Sequence, residues 1–161
     1  MSLHELSAVL WRERELLDVL LYKLDVERLL LATDRRRWLG RAAHEIEFLT
    51  ARLKEVGLAR AVESAEAAEE LGLPADATLQ QLADAVVDEV WREILAAHLS
   101  ALRDVTGEIA ALRDANEQLL RQTAPTGAPA ARAPRRGGTT TYDARGATRD
   151  VVDATLVDEE I

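Results

Sequence analysis

The sequence predicts an all-α protein, an antiparallel three-helix bundle of coiled-coil type followed by a disordered C-terminal tail. The composition is rich in leucine, alanine, glutamate and arginine, with six aromatic residues in 161, which is typical of long helices. Two stretches repeat apolar residues every seven positions, and turn signals separate them. These signals place the helices at residues 3–32, 35–71 and 78–122, in a helical domain over residues 1–122, and leave residues 123–161 as the tail.

The first helix is predicted from a leucine series with seven-residue spacing. The series consists of Leu3, Leu10, Leu17, Leu24 and Leu31, and Leu6 and Leu20 fill the intermediate position. Such a stripe presents one side of a helix to partner helices. Glu13 and Glu27 occupy the same intermediate position, where they are compatible either with a groove left open for a ligand or with the edge of the seam.

Local turn signals set the helix ends. Trp38 continues the seven-residue series, so periodicity alone permits one continuous helix through residues 32–36. Thr33 and Asp34 are good N-cap residues, so we favour a tight turn there, with Asp34 accepting from the first amides of the second helix. Gly72 and Pro74 stop that helix, because glycine adopts the left-handed C-cap conformation and proline cannot continue a helix. Thr78 opens the third helix as a capping box with a glutamine three residues later.

The third helix carries the longest heptad seam, formed by Trp91, Leu95, His98, Leu102, Val105, Ile109, Leu112, Asn116 and Leu119. An asparagine in such a seam usually fixes the register of two helices. We interpret His98 as a hydrogen-bonded histidine at the edge of the core. We interpret the tryptophans, Trp11, Trp38 and Trp91, as structural anchors in preference to exposed hot spots for a partner.

Several classes of function are excluded by what the sequence lacks. The absence of cysteine removes thiolate chemistry, and three isolated histidines predict neither a metal site nor another cofactor, so the protein is not expected to be an enzyme. A net charge of −9 argues against a nucleic-acid partner. Nine charged residues within residues 10–31 argue against membrane insertion. With no secretory signal at the N-terminus, a cytoplasmic location is expected.

Three stretches carry a resemblance to a known family. They are "LWRERELLDVLLYKLDVERLLLATDRRRWLGRAAHEIEFLTARL", an alanine-rich helix closing in "LGLP", and "ATLQQLA" opening a last helix that ends in "NEQLL". In helix order, leucine spacing and turns, residues 3–122 resemble the FlgN family of flagellar export chaperones. The resemblance implies a chaperone that holds the C-terminal segments of the hook–filament junction proteins FlgK and FlgL before type III export.

The resemblance leads to two expectations about sites. Client binding is expected along an exposed seam of the last helix, at Val105, Ile109, Leu112, Asn116, Leu119 and Leu120. In the tail, Tyr142 is expected to dock the loaded chaperone to the export gate, helped by an apolar cluster within residues 151–157. The alternative is a structural or regulatory coiled-coil protein that uses the same apolar stripes to dimerise. It would require continuous apolar heptads in the first helix, and Glu13 and Glu27 interrupt them there.

Overall fold

The structure is a computed structural model that describes residues 2–123, and all the regular secondary structure in this range is helical. It contains α1 (Ser2–Ala32), a 3-10 turn (Arg36–Trp38), α2 (Leu39–Glu70), α3 (Leu79–Ala85) and α4 (Glu89–Thr123). The predicted all-α class is confirmed. The predicted tail, from residue 124 onward, lies outside the described residues.

The helix α1 is the central helix. It runs antiparallel to α2, because the Ser2 amide lies 3.4 Å from Oε1 of Glu70 and Lys23 Nζ lies 2.6 Å from Oε2 of Glu45. It runs parallel to α4, because Ser7 pairs with His98 and, further along both helices, the Leu24 carbonyl accepts from Asn116. Within residues 2–123, α2 and α4 both pack on α1, yet no Cα atom of one lies within 8 Å of a Cα atom of the other. The predicted antiparallel three-helix bundle is therefore not confirmed, because α2 and α4 each pack on α1 and do not pack on each other.

The predicted third helix is two helices. The chain leaves the helical conformation at Val86, which is buried and extended at ψ 125°. Asp88 then opens α4, because its Oδ1 accepts from the amides of Val90 at 2.9 Å and Trp91 at 3.2 Å. The guanidinium of Arg92 donates back to the Val86 carbonyl at 3.0 and 3.2 Å. The sequence "VVDE" indicates this break between α3 and α4, because β-branched residues before an aspartate favour a helix boundary.

The first turn exists, but the expected cap at Asp34 is wrong. Asp34 has a left-handed φ of 53°, and its carboxylate accepts from Nε of Arg36 at 2.6 Å instead of from a helix amide. A 3-10 turn follows, so α2 begins at Leu39 and not at residue 35. An aspartate tolerates the left-handed region better than most residues, and this places Asp34 inside the turn.

The other two boundary predictions are confirmed. Gly72 has a φ of 71°, its amide donates to the Glu69 carbonyl at 3.1 Å and the Leu73 amide donates to Ala68 at 2.8 Å. These two bonds form a Schellman motif. Thr78 and Gln81 form the capping box, with the Thr78 amide donating to Oε1 of Gln81 at 2.8 Å.

The core follows the leucine series of α1. Every member of that series is buried, and so are Leu6 and Leu20. The same cluster contains Leu49 of α2, Leu82 of α3, and Leu95, Leu102 and Ile109 of α4. A fully buried leucine contributes about 1.5–3 kcal/mol, so α1 is stabilised by both neighbours.

None of the helices described in residues 2–123 combines the length and the apolar character that crossing a membrane requires.

Two glycines should respond in opposite ways to alanine. Gly72→Ala should destabilise the fold by about 1–2 kcal/mol, because an L-residue is strained at its positive φ. Gly107 lies within α4, and a Cβ added there would meet nothing within 4 Å. Gly107→Ala should therefore stabilise the fold by up to about 1 kcal/mol, because alanine has the higher helix propensity. Urea unfolding followed by far-UV circular dichroism measures both. Equal shifts in the same direction would contradict this assignment of the α2 C-terminus.

Candidate functional site

An open groove runs between α1 and α4. It consists of two adjoining depressions of about 560 Å³ and 280 Å³ that share Asp18. All of the lining residues come from these two helices. They are Trp11, Arg14, Glu15, Asp18, Leu21, Tyr22, Asp25 and Arg28 of α1, and Ala101, Val105, Glu108, Ala111, Leu112 and Ala115 of α4. We call this surface the α1–α4 groove.

The groove combines an apolar floor with aromatic residues at its rim. Leu21, Val105 and Leu112 are half-buried and pack against the core cluster, so they form a floor anchored to the rest of the protein. Trp11 is 53% exposed and Tyr22 is 63% exposed. Large exposed aromatic residues beside an apolar depression are typical of a surface that binds another protein.

The groove is acidic. Glu15, Asp18, Asp25 and Glu108 line it, and none of them forms an ion pair with another residue in the described part of the chain. Arg14, by contrast, is already engaged, because its guanidinium lies over the ring of Trp11 at 4.3 Å and its Nη1 lies 3.3 Å from Nδ1 of His98. Arg28 is the other lining cation, so four carboxylates stand against two guanidinium groups and the groove has an excess of negative charge that favours a basic partner.

His98 lies buried directly behind the groove and supports Trp11 and Arg14. A guanidinium can only donate, so Nδ1 of His98 accepts from Arg14, and Nε2 carries the proton that it donates to Oγ of Ser7 at 3.1 Å. The Trp11 ring meets the imidazole edge-on, with 5.2 Å between centroids. Burial lowers the pKa of His98, and the positive charge of Arg14 lowers it further. The expected core-edge histidine with a hydrogen bond is confirmed.

The residues predicted to bind a client are only partly brought together. Val105 and Leu112 line the groove, whereas Ile109 and Asn116 are buried. Leu119 is half-buried and Leu120 is exposed, but neither lines the groove. The expectation of one exposed seam therefore fails at Ile109 and Asn116, because that side of α4 packs against α1. Tyr142 lies outside the described residues.

Asn116 joins α4 to α1. Its Nδ2 donates to the Leu24 carbonyl at 2.9 Å and to Oε2 of Glu27 at 2.8 Å, while its buried Oδ1 has no partner among the described residues. An amide that must meet these two acceptors holds the helices in one register. The predicted register role of Asn116 is the one observed here.

Glu13 and Glu27 both face neighbouring helices and not the groove. Nη1 of Arg60 on α2 lies 3.3 Å from Oε1 of Glu13, and Glu27 accepts from Asn116. Burial raises the pKa of Glu13, although Arg60 opposes that shift. The sequence left open whether these glutamates line a ligand groove or lie at the edge of the helix seam, and both lie at the edge of the seam.

The rim residues were missed by the sequence analysis. Trp11 is 53% exposed and Trp38 is 46% exposed, so neither is a buried anchor as the sequence analysis had interpreted them. Trp91 is half-buried and meets the His4 ring edge-on at 4.5 Å between centroids, in agreement with a structural role. Trp11 and Tyr22 lie outside the leucine series of α1, and an aromatic residue on the polar side of an amphipathic helix was the available signal.

A family model described as FlgN protein matches residues 1–150. The chain belongs to the FlgN family. Members of this family are flagellar export chaperones that take part in flagellum biogenesis, and they are not enzymes. The match spans both helices of the groove and also includes Tyr142. Neither a search of curated proteins nor a search of solved structures finds a match.

His98 should make the stability of this FlgN protein depend on pH. Because its pKa is lowered on folding from 6.5, the unfolded chain binds the proton more readily. The contribution of neutral, buried His98 to the free energy of unfolding is complete above the ordinary pKa. It is lost as the pH falls through the lowered pKa of the folded state. The free energy of unfolding should therefore fall as the pH is lowered through and below 6.5, as measured by urea titration.

The matched comparison is His98→Gln, which should flatten this dependence because glutamine does not titrate. Glu13, whose pKa is raised, acts in the opposite direction, but it is present in both proteins and its effect cancels in the difference. His44→Gln, on the exposed side of α2, is the control and should leave the dependence intact. An unchanged slope in His98→Gln would refute the role assigned to His98.

Proposed function

We propose that this protein binds the C-terminal amphipathic segments of hook–filament junction proteins of the FlgK and FlgL type in the α1–α4 groove. In this role it keeps the segments unassembled in the cytoplasm and delivers them to the flagellar type III export apparatus. The observation that carries the proposal is the apolar groove with Trp11 and Tyr22 exposed at its rim. An amphipathic helix laid into such a groove is a common mode of peptide recognition.

The dimensions of the groove fit a short helix. Its wall on α4 extends from Ala101 to Ala115, which is about 21 Å at 1.5 Å per residue. A client helix of about 14 residues would match that length. Its apolar stripe would cover Val105 and Leu112, which need no rearrangement because both already face the groove.

The charges of the groove indicate which clients fit. Glu15, Asp18, Asp25 and Glu108 are available to pair with lysine or arginine residues that flank the apolar stripe of a client. Such pairs at the rim mainly accelerate association and favour the correct orientation. A moderate affinity also suits a chaperone, since the client has to be released for export.

The alternative of a dimer formed through the first helix has little support. The leucines that would form its seam are buried between α2 and α4 of the same chain. Pairing through them would require α1 to lose those contacts. Client binding in the α1–α4 groove uses surface that is already open.

Tyr22→Asp should weaken binding of a peptide comprising the last 40 or so residues of a junction protein by at least about tenfold, equivalent to about 1.4 kcal/mol. The substitution removes an exposed aromatic contact and places a carboxylate where the apolar stripe of the client would lie, away from its basic flanks. Calorimetric titration measures the affinity. The matched control is Val19→Asp, which changes an exposed residue of the same helix that does not line the groove and should bind normally.

Two outcomes would count against the groove as the client site. One is equal affinity for Tyr22→Asp and the unmodified protein, with both folded by circular dichroism. The other is equal weakening by Val19→Asp, which would point to a general effect of negative charge on α1. Loss of binding confined to Tyr22→Asp supports the proposal.

Tyr142 is our proposed contact with the export gate. It is the sole aromatic residue after Trp91, it falls within the family match, and tyrosine provides a large contact area with only two side-chain torsions to fix. Tyr142→Ala should leave client binding in solution unchanged and reduce secretion of the junction proteins, because only delivery is affected. Thr141→Ala is the matched control. Normal secretion in the Tyr142→Ala strain would rule out this contact.

A further inference from the structure

A second unpartnered apolar surface lies on α2. Phe48, Leu58 and Val62 are 60%, 73% and 56% exposed, and Ala51 and Ala65 continue the same alternating spacing of three and four residues. This spacing keeps all five side chains on one side of a helix. We call this surface the α2 stripe.

The α2 stripe faces away from the core. The buried positions of α2 include Ala42, Leu49 and Val56, which repeat every seven residues on another side of the helix. No residue of the stripe lines the α1–α4 groove. Towards the C-terminal end of α2 the stripe leads into a depression lined by Val62, Ala65, Glu66, Glu69, Leu73 and Ala75. The stripe is therefore left uncovered by the rest of the described chain.

Charges at the two ends of the stripe are opposite. Arg41 is exposed near the N-terminal end of α2, with Arg37 in the 3-10 turn before it. Nε of Arg41 lies 3.1 Å from Oε1 of Glu45, which leaves its other guanidinium nitrogens open to a partner. Glu66 and Glu69 are exposed near the C-terminal end. Neither Glu66 nor Glu69 forms an ion pair with another residue in the range 2–123. A partner helix that fits this surface must carry acidic residues opposite the arginines and basic residues opposite the glutamates.

A second α2 helix in antiparallel orientation meets this requirement. With a two-fold axis near Glu55, it places Glu69 of one copy opposite Arg41 of the other, at both ends of the contact. A parallel copy would instead place like charges together, which is unfavourable. The charges of the stripe are thus complementary to those of a second, antiparallel copy, as a two-fold symmetric interface requires.

The middle of the stripe also tolerates this symmetry. Phe48 and Val62 lie seven residues on either side of Glu55, so an axis near Glu55 brings Phe48 of one copy to the region of Val62 in the other. Glu55 is already paired with Arg52, whose Nη1 lies 2.9 Å from its Oε2. Two bare carboxylates therefore do not face each other at the axis.

We propose that the α2 stripe is the site at which two copies of this chain associate, antiparallel and through α2. The apolar contact of each copy rests on three large side chains, so the interface belongs to the small class that buries less than about 1,200 Å². The dimer is accordingly weak and depends on concentration. Because the α1–α4 groove is on other helices, each dimer presents two open grooves. The inference does not rest on client binding.

Sedimentation equilibrium of the full chain, from about 1 µM to several hundred µM, tests the inference. The unmodified protein should change from monomer to dimer within this range. Phe48→Glu should raise the dimer dissociation constant at least tenfold, since it places a charge in the apolar contact. The control is Val19→Glu, which introduces the same charge at an exposed apolar residue of α1 and should dimerise normally. Circular dichroism should show native helicity for both variants.

Charge reversal tests the orientation. Arg41→Glu and Glu69→Arg should each weaken the dimer, and the protein carrying both changes should recover it, because the reversed pair again meets its opposite in an antiparallel contact. A protein that is monomeric throughout the range overturns the proposal, even if the stripe binds a junction-protein peptide. So does a dimer that Phe48→Glu leaves intact, and so does a failure of the double reversal to restore association.

Discussion

The apolar face of α1 is too wide for one partner helix to cover. The leucine series and its intermediate positions are flanked by Leu16 and Leu21, so the face exceeds the two-position seam of a simple coiled coil. Two helices are needed to remove it from water, and α2 and α4 take the two sides. Because α1 separates them, the backbones of α2 and α4 do not approach each other, and each keeps surface that the core does not use.

Polar contacts decide how the two outer helices are placed on this apolar face. Leucines alone would permit neighbouring registers at similar energy, because one leucine can replace another in a seam. Asn116 with Glu27, His98 with Ser7 and Arg14, and Glu13 with Arg60 each require one specific partner at hydrogen-bonding distance. A slip of one turn would leave buried polar groups without partners, which costs more than the apolar contacts would regain. These contacts give the groove a defined shape.

The groove is a consequence of that placement. His98 supports Trp11 and Arg14 from behind, so a residue of the buried seam positions two residues of the binding surface. The half-buried floor belongs at once to the core and to the groove, which limits how far it can change without loss of stability. A chaperone has to offer apolar surface without aggregating, and unpaired carboxylates around the groove favour basic clients while opposing self-association there.

The sequence by itself determined the helical class, the leucine face of α1, the stop at Gly72 and the start at Thr78, because each depends on periodicity or on residues within one turn of the chain. It also contained the break at Asp88, which the longer heptad pattern concealed. Only the tertiary structure decided that Ile109 and Asn116 face α1 while Val105 and Leu112 face the groove, and that Trp11 is at a rim and not in the core. A heptad pattern identifies an apolar side of a helix, but how much of that side is covered depends on the position and angle of neighbours that are distant in the chain.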